Sequence, residues 1–227
     1  MQQIITVDGA AGVGKGTLSR QLARHLNWHF LDSGAIYRLT ALMVQQQHIE
    51  QTAQPICHAI ETKMQLDFQT GPQGVTIWLN HQNVTDEIRQ EAIGMLASKI
   101  AAMGQVRQAL LQKQRNFARC PGLVADGRDM GTVVFPEASL KFYLYASAEV
   151  RAQRRYEQLL QQGQTPDYQA ILTQLQQRDA QDQNRKTAPL KPAQDAVLID
   201  TGTLDIQQVF NQAMVYVAKV FNQSGLS

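Results

Sequence analysis

A chain of 227 residues, 44% of them hydrophobic, can bury one sizeable core and still carry inserted lobes. Its 21 basic and 19 acidic side chains leave a formal net charge of +2 with no long run of like charges, so composition gives no sign of a polyanion-binding tail and a nucleic-acid module is disfavoured. Cys57 and Cys120 form neither a CxxC pair nor a disulfide framework, the five histidines lack zinc-like spacing, and no apolar run approaches the roughly 20 residues of a membrane span. The first strand begins by about Gln3, which leaves no room for a signal peptide, and a reducing cytoplasmic setting is expected.

In chain order, Ile4-Ile5-Thr6-Val7 reads as a buried strand, and Leu18, Leu22 and Leu26 recur at helical spacing. Between them stands Gly9-Ala10-Ala11-Gly12-Val13-Gly14-Lys15-Gly16-Thr17. Strand, glycine-rich turn and helix form the context of a phosphate-binding loop: glycines let backbone N–H groups converge, the helix start adds its positive dipole end, and Lys15 supplies a mobile cation. The place after the lysine, usually Ser or Thr, is Gly16 here, with Thr17 following. No direct protein–metal bond is therefore expected, and Mg²⁺ would ride on substrate phosphates through water.

Residues 28–32 read as a short strand ended by Ser33-Gly34, and residues 35–44 as a helix. Pro55 marks a break. Over residues 64–84, Leu66 and Phe68, then Val75, Ile77 and Leu79, alternate with polar residues around the turn signals Gly71-Pro72-Gln73-Gly74 and Asn80-His81-Gln82-Asn83. That pattern predicts a small antiparallel hairpin or three-stranded sheet. Residues 86–117 return to helix, as two helices meeting near Gly104.

Leu123-Val124-Ala125-Asp126 is a buried strand ending on an aspartate, and Gly127-Arg128-Asp129-Met130-Gly131-Thr132 follows as a loop. A charged segment at a strand end is either a ligand site or a solvated polar turn. Leu140 to Tyr145 is the next strand, and residues 148–162 form a helix with Arg151, Arg154 and Arg155 on adjoining faces. Asp167 can cap a highly polar helix running to about Arg185, in which Arg178, Asp182 and Arg185 share a face; the alternative is an exposed, salt-bridged helix. Val197-Leu198-Ile199-Asp200 is the last strand, and residues 205–221 are the closing helix. Five apolar strands alternating with helices predict an α/β fold with a parallel sheet covered on both faces.

Four stretches together carry a resemblance: residues 8–17; Leu31-Asp32-Ser33-Gly34-Ala35-Ile36-Tyr37-Arg38; Asp126-Gly127-Arg128-Asp129-Met130-Gly131-Thr132-Val133-Val134-Phe135-Pro136; and Arg178-Asp-x-x-Asp182-x-x-Arg185. The Gly-Lys-Gly-Thr loop resembles that of nucleoside monophosphate kinases, and the chain over nearly its whole length resembles the bacterial cytidylate kinases. The resemblance implies a P-loop core with a five-stranded parallel sheet flanked by helices (about 1–37, 98–150 and 186–227). It adds a nucleoside-monophosphate-binding insertion (about 38–97) enlarged by the small antiparallel sheet, and a helical lid (about 151–185). It implies a cytoplasmic transferase, expected to be a monomer, that uses ATP with Mg²⁺ to phosphorylate CMP and dCMP.

By the same resemblance Gly9 to Thr17 bind ATP. Lys15 and Arg154 stabilise the transferring group, Arg38 and Arg128 hold the acceptor phosphate, and Arg185 bridges toward it. Asp129, Arg107 and Ser98 contact cytosine, Arg178 and Asp182 the ribose, and Ser33 belongs to the acceptor site. The chemistry suits these residue types. A phosphate acceptor is already anionic, so the task is to bring two polyanions together by positioning and charge neutralisation, and a planar guanidinium grips phosphate at two points. A kinase for a small-molecule hydroxyl, such as shikimate or gluconate, would need less arginine and no inserted sheet. A non-transferring nucleotide switch is disfavoured because the guanine motif Asn-Lys-x-Asp is absent from the sequence.

Overall fold

The computed structural model describes residues 2–71 and 74–221. Two compact units divide the chain: residues 1–28 with 120–227, and residues 29–119. The strands of the main sheet are β1 (Ile4–Gly9), β2 (His29–Asp32), β6 (Leu123–Gly127), β7 (Leu140–Tyr145) and β8 (Val197–Asp200), in the order β2-β6-β1-β7-β8. β1 pairs in parallel with β6 and β7, and β7 with β8, as expected for strands joined through helices. Ile5, Val7, Val124 and Leu144 have no exposed surface, so these strands read as continuous apolar runs rather than alternating ones. The register sets Asp8 beside Gly127 and Tyr143, and Gly9 beside Leu144, so the polar ends of β1, β6 and β7 meet at one sheet edge.

In the first unit, α1 (Lys15–Leu26) follows β1, and α8 (Ile206–Phe221) buries Val209, Ala213 and Val217 on one stripe. Edge-on ring contacts join His25 to Phe210 and Phe142 to Tyr216. α6 (Ala148–Gln161) is capped by Ser147, and α7 (Tyr168–Gln183) by Asp167, which accepts from the N–H groups of Gln169 and Ala170. α7 contains no buried residue, consistent with its polar sequence.

The second unit contains α2 (Ser33–Gln46), capped by Asp32 through the Ala35 N–H, α3 (Ala53–Lys63), α4 (Glu91–Ala101) and α5 (Gly104–Arg115). β3 (Leu66–Gly71), β4 (Gly74–Leu79) and β5 (Gln82–Asn83) form the antiparallel three-stranded sheet. Asn80 and His81 both have positive φ, the signature of the tight hairpin turn between β4 and β5. Of the other expected turn, Pro72 and Gln73 lie outside the described residues.

Three local expectations are corrected. Pro55 does not break the chain but stands in the first turn of α3, where a missing N–H costs nothing. The stretch after Gly127 is not all loop: Met130–Val134 forms a π-helical turn closed by Phe135 N–H to Met130 O at 2.7 Å. The Asp8 carboxylate receives the Met130 and Gly131 N–H groups at its start, both at 2.8 Å, and so caps it from a neighbouring strand. Arg185 lies beyond the end of α7, capped at Asn184, and does not continue the helical face of Arg178 and Asp182.

Candidate active site

Three carbonyls of the loop between β1 and α1 accept side-chain hydrogen bonds. The Ala10 carbonyl accepts from Lys15 Nζ at 3.1 Å, Ala11 from Arg151 Nη1 at 3.0 Å, and Val13 from the Thr201 hydroxyl at 3.0 Å. A glycine-rich turn of this kind can present its N–H groups to a phosphate. A side chain is impossible at Gly9, whose Cβ would lie 2.3 Å from the Leu144 carbonyl oxygen, and Gly14 opens α1 at φ 91°. Lys15 Nζ stands 4.0 Å from Asp126, and a Cβ on Gly16 would come 3.0 Å from the same carboxylate. A side chain at Gly16 would therefore press on Asp126, which would have to give by a few tenths of an ångström.

A second group of charges lies along α7 in the same unit. Arg128 Nε donates to Asp182 Oδ2 at 2.7 Å, and Arg185 Nη2 stands 3.6 Å from Asp182 Oδ1. Burial alone would raise the Asp182 pKa, but Arg128, Arg185 and Arg178 together hold it below the ordinary carboxylate range. Arg154 bonds the Thr201 carbonyl, while Arg151 grips Asp179 through both oxygens at 3.2 and 2.5 Å. Asp129 is buried at the start of the π-helical turn. Burial lifts the Asp8 carboxyl to about 7 despite its two backbone N–H donors; Asp129 raises it further and Lys15 opposes the rise. Burial also raises Tyr143, which Asp8 and Asp179 reinforce and Arg128 and Arg151 oppose.

In the second unit, Arg38 on α2 donates to the carbonyls of Ile88 at 2.7 Å and Gln90 at 3.4 Å. Burial pushes its pKa down, opposed by Asp32. Arg107 is buried on α5, donates to the Ala101 carbonyl at 3.2 Å and lies over the Tyr37 ring at 5.4 Å. The Ser33 hydroxyl donates to Gln114 Oε1 at 2.7 Å, and Ser98 is half-buried on α4. Ser33, Arg38, Ser98 and Arg107 thus fall in this unit. The loop, Arg128, Asp129, Arg154, Arg178, Asp182 and Arg185 fall in the first.

A cavity of about 710 Å³ opens beside the loop, lined by Gly12, Gly14, Thr17, Arg154, Thr201 and Ile206 among others. Its site residues Thr201 and Gln158, and the pair Arg151–Asp179, were missed by sequence reasoning. Only the arginine cluster of α6 offered a signal, and nothing local tells which of its members faces the loop.

A strand, a carbonyl-tethered glycine loop, a helix opening on Lys15, and a parallel sheet of order β2-β6-β1-β7-β8 define a P-loop nucleotide-binding protein. Within that class the chain belongs to the cytidylate kinase family, whose pattern it matches over residues 5–219. A cytidylate kinase of Photobacterium profundum is 46% identical over 220 residues, covering 97% of this chain and 96% of the relative. One from Dichelobacter nodosus is 48% identical over 223 residues, covering 98% and 100%. One from Aeromonas hydrophila is 46% identical over 216 residues, covering 95% and 94%. Among the described residues no helix is long and apolar enough to cross a membrane.

Proposed function

We propose that this chain transfers the terminal phosphoryl group of ATP to CMP and dCMP, giving CDP and dCDP. The observation that carries the reading is family membership across residues 5–219, together with a P-loop and an arginine–aspartate cluster in one compact unit. The acceptor oxygen is anionic near neutral pH, so no strong base is required and the barrier is mainly repulsion between two polyanions. The loop from Gly9 to Thr17 would hold the donor phosphates with its N–H groups, and Lys15 would follow the transferring group. Arg154 would serve the donor side, since it lines the cavity beside the loop, which would take the donor base.

On the acceptor side, Arg38 and Arg128 would bind the CMP phosphate and Arg185 would bridge between the two phosphates. Arg128 is salt-bridged to Asp182 at 2.7 Å, so acceptor binding would exchange one anion for another at that guanidinium. Arg178 and Asp182 would meet the ribose, with Ser33 supporting the acceptor site. Asp129, Ser98 and Arg107 would read the base. A carboxylate accepts from the cytosine N4 amino group, whereas uracil turns a carbonyl toward it; the mismatch costs roughly 1–3 kcal/mol.

Mg²⁺ fits as an ion carried on ATP. Asp126 beside Lys15 and the Thr17 hydroxyl are hard oxygen groups at the loop, suited to hold it through water, and its chemistry there is charge neutralisation. The segments 38–97 and 151–185 would act as the acceptor-binding insertion and the lid. A monomeric, cytoplasmic enzyme is the simplest form of this reading.

Initial rates with ATP and Mg²⁺ against CMP, dCMP, UMP and AMP in parallel test it. CMP and dCMP should exceed UMP by about tenfold or more, the factor expected from the unpaired carboxylate. Faster turnover of a sugar or hydroxy-acid acceptor than of CMP would overturn the proposal.

A further inference from the structure

Arg151 is 4% exposed in its side chain, carries no role in the scheme above, and uses all three of its nitrogens. Nε donates to the carbonyls of Ala146 and Ser147, both at 3.2 Å, which anchors the guanidinium to the start of α6. Nη1 donates to the Ala11 carbonyl in the phosphate loop at 3.0 Å, and Nη1 with Nη2 forms the fork on Asp179 of α7. Its stem runs against Gly12, where a Cβ would meet the Arg151 Cβ, Cγ and Cδ at 3.4, 3.6 and 3.8 Å. One guanidinium therefore bonds both the loop and α7.

The attachment of α7 gives this bond its weight. The helix buries no residue fully, and its half-buried Tyr168, Ile171, Leu172 and Leu175 form only a shallow apolar stripe, with Tyr168 edge-on to Tyr156 of α6. Much of its hold is polar: Asp179 to Arg151, Asp182 to Arg128, and the Asp182 carbonyl to the Leu190 N–H at 2.8 Å. A helix resting on a shallow apolar stripe and a few directional bonds can shift as a body when one of those bonds is retuned. Phosphates in the loop would engage its N–H groups, and any shift of the Ala11 peptide would change its bond to Nη1, the nitrogen it shares with Asp179.

We propose that Arg151 is a positioning residue that couples the donor loop to α7 through the bond chain Ala11 carbonyl, Arg151 guanidinium, Asp179 carboxylate. Occupancy of the loop thereby sets the placement of Arg178 and Asp182, and the donor and acceptor bind with mutual reinforcement. The inference rests on the reading of the loop as the donor site and of α7 as an acceptor-side element.

The test measures CMP dissociation constants with and without an unreactive ATP analogue, in wild type, Asp179→Asn and Arg151→Lys, beside kcat and KM. Asp179→Asn keeps side-chain volume and one acceptor, and Arg151→Lys keeps the stem over Gly12, so each preserves the packing while breaking the fork. In wild type the analogue should tighten CMP binding by about fivefold or more, the lower end of ordinary coupling between sites. In either variant the reinforcement should fall below about twofold, with each nucleotide alone bound within about threefold of wild type and kcat lowered more than KM changes. Full reinforcement in Asp179→Asn, none in wild type, or a parallel loss of both separate affinities would overturn the coupling. Absence of CMP phosphorylation by the wild type would instead sink the functional reading itself, so the two failures are distinguishable.

Discussion

Gly94 faces Arg38 so closely that a Cβ there would lie 2.8 Å from Nη2 and 3.1 Å from Nη1. Nothing in the sequence marks Gly94, because its partner is a turn of α2 more than fifty residues away. If Arg38 holds the CMP phosphate, Gly94→Ala should raise KM for CMP about tenfold, as expected for misplacing a charged clamp, and leave KM for ATP unchanged. Steady-state kinetics varying each nucleotide in turn check this, and equal changes in both constants would refute it. If Asp129, a buried carboxylate, reads the base as proposed, Asp129→Ala should likewise damage CMP turnover more than ATP affinity; equal losses argue against that role. If Arg128 holds the acceptor phosphate, Arg128→Ala should lower kcat/KM for CMP by at least about a hundredfold with the far-UV spectrum intact, since the change would remove a charge-assisted contact and takes from Asp182 the nearest of its three arginines. Activity within twofold of wild type would exclude a phosphate role. The glycine spacing of the loop and the Asp126-Gly127-Arg128-Asp129 run were legible because their chemistry is local. The partners of Arg151 were not, because Ala11 and Asp179 lie 140 and 28 positions away and only packing selects them.

Among the elements, periodicity located the five main strands, the small sheet and the two helices meeting near Gly104, since each buries a face whose spacing survives in sequence. α3 was not legible: Pro55 was weighed as a breaker without regard to its place in a first turn. Nor was the π-helical turn, whose first N–H groups are satisfied by Asp8, a residue 122 positions earlier. α7 was recognised by its cap rather than by any apolar stripe, which leads to a test. Asp167 accepts from Gln169 at 2.8 Å and Ala170 at 3.2 Å. Replacing it by Ala should cost α7 about 1 kcal/mol, so amides in its first turn should exchange about fivefold faster while those of α8 are unmoved. Uniform acceleration across both helices would show that α7 does not open by itself.

At the scale of the whole molecule, two carboxylates tie stability to pH in opposite directions. Asp8 is buried and lifted to about 7 from 3.8, so between those values the folded chain keeps a proton that the unfolded chain has released. Stability attributable to Asp8 is then fully present below pH 4 and is lost as pH rises through 7, with a slope of at most about 1.4 kcal/mol per pH unit. Asp182, held below its ordinary range by three arginines against the cost of burial, contributes the reverse: stability present above pH 4 and lost as pH falls toward its lowered folded value. The two windows barely overlap, so they separate cleanly. Urea unfolding of wild type and Asp8→Asn from pH 4.5 to 8 should show curves that converge and then cross as pH rises, because only the wild type bears the cost of ionising this position. Asn offers one acceptor oxygen to two backbone N–H groups, which sets the variant about 1–3 kcal/mol below the protonated wild type without adding a slope of its own. Parallel curves would mean that Asp8 ionises as readily in the folded chain as in the unfolded one, and that its two N–H donors and Lys15 outweigh burial.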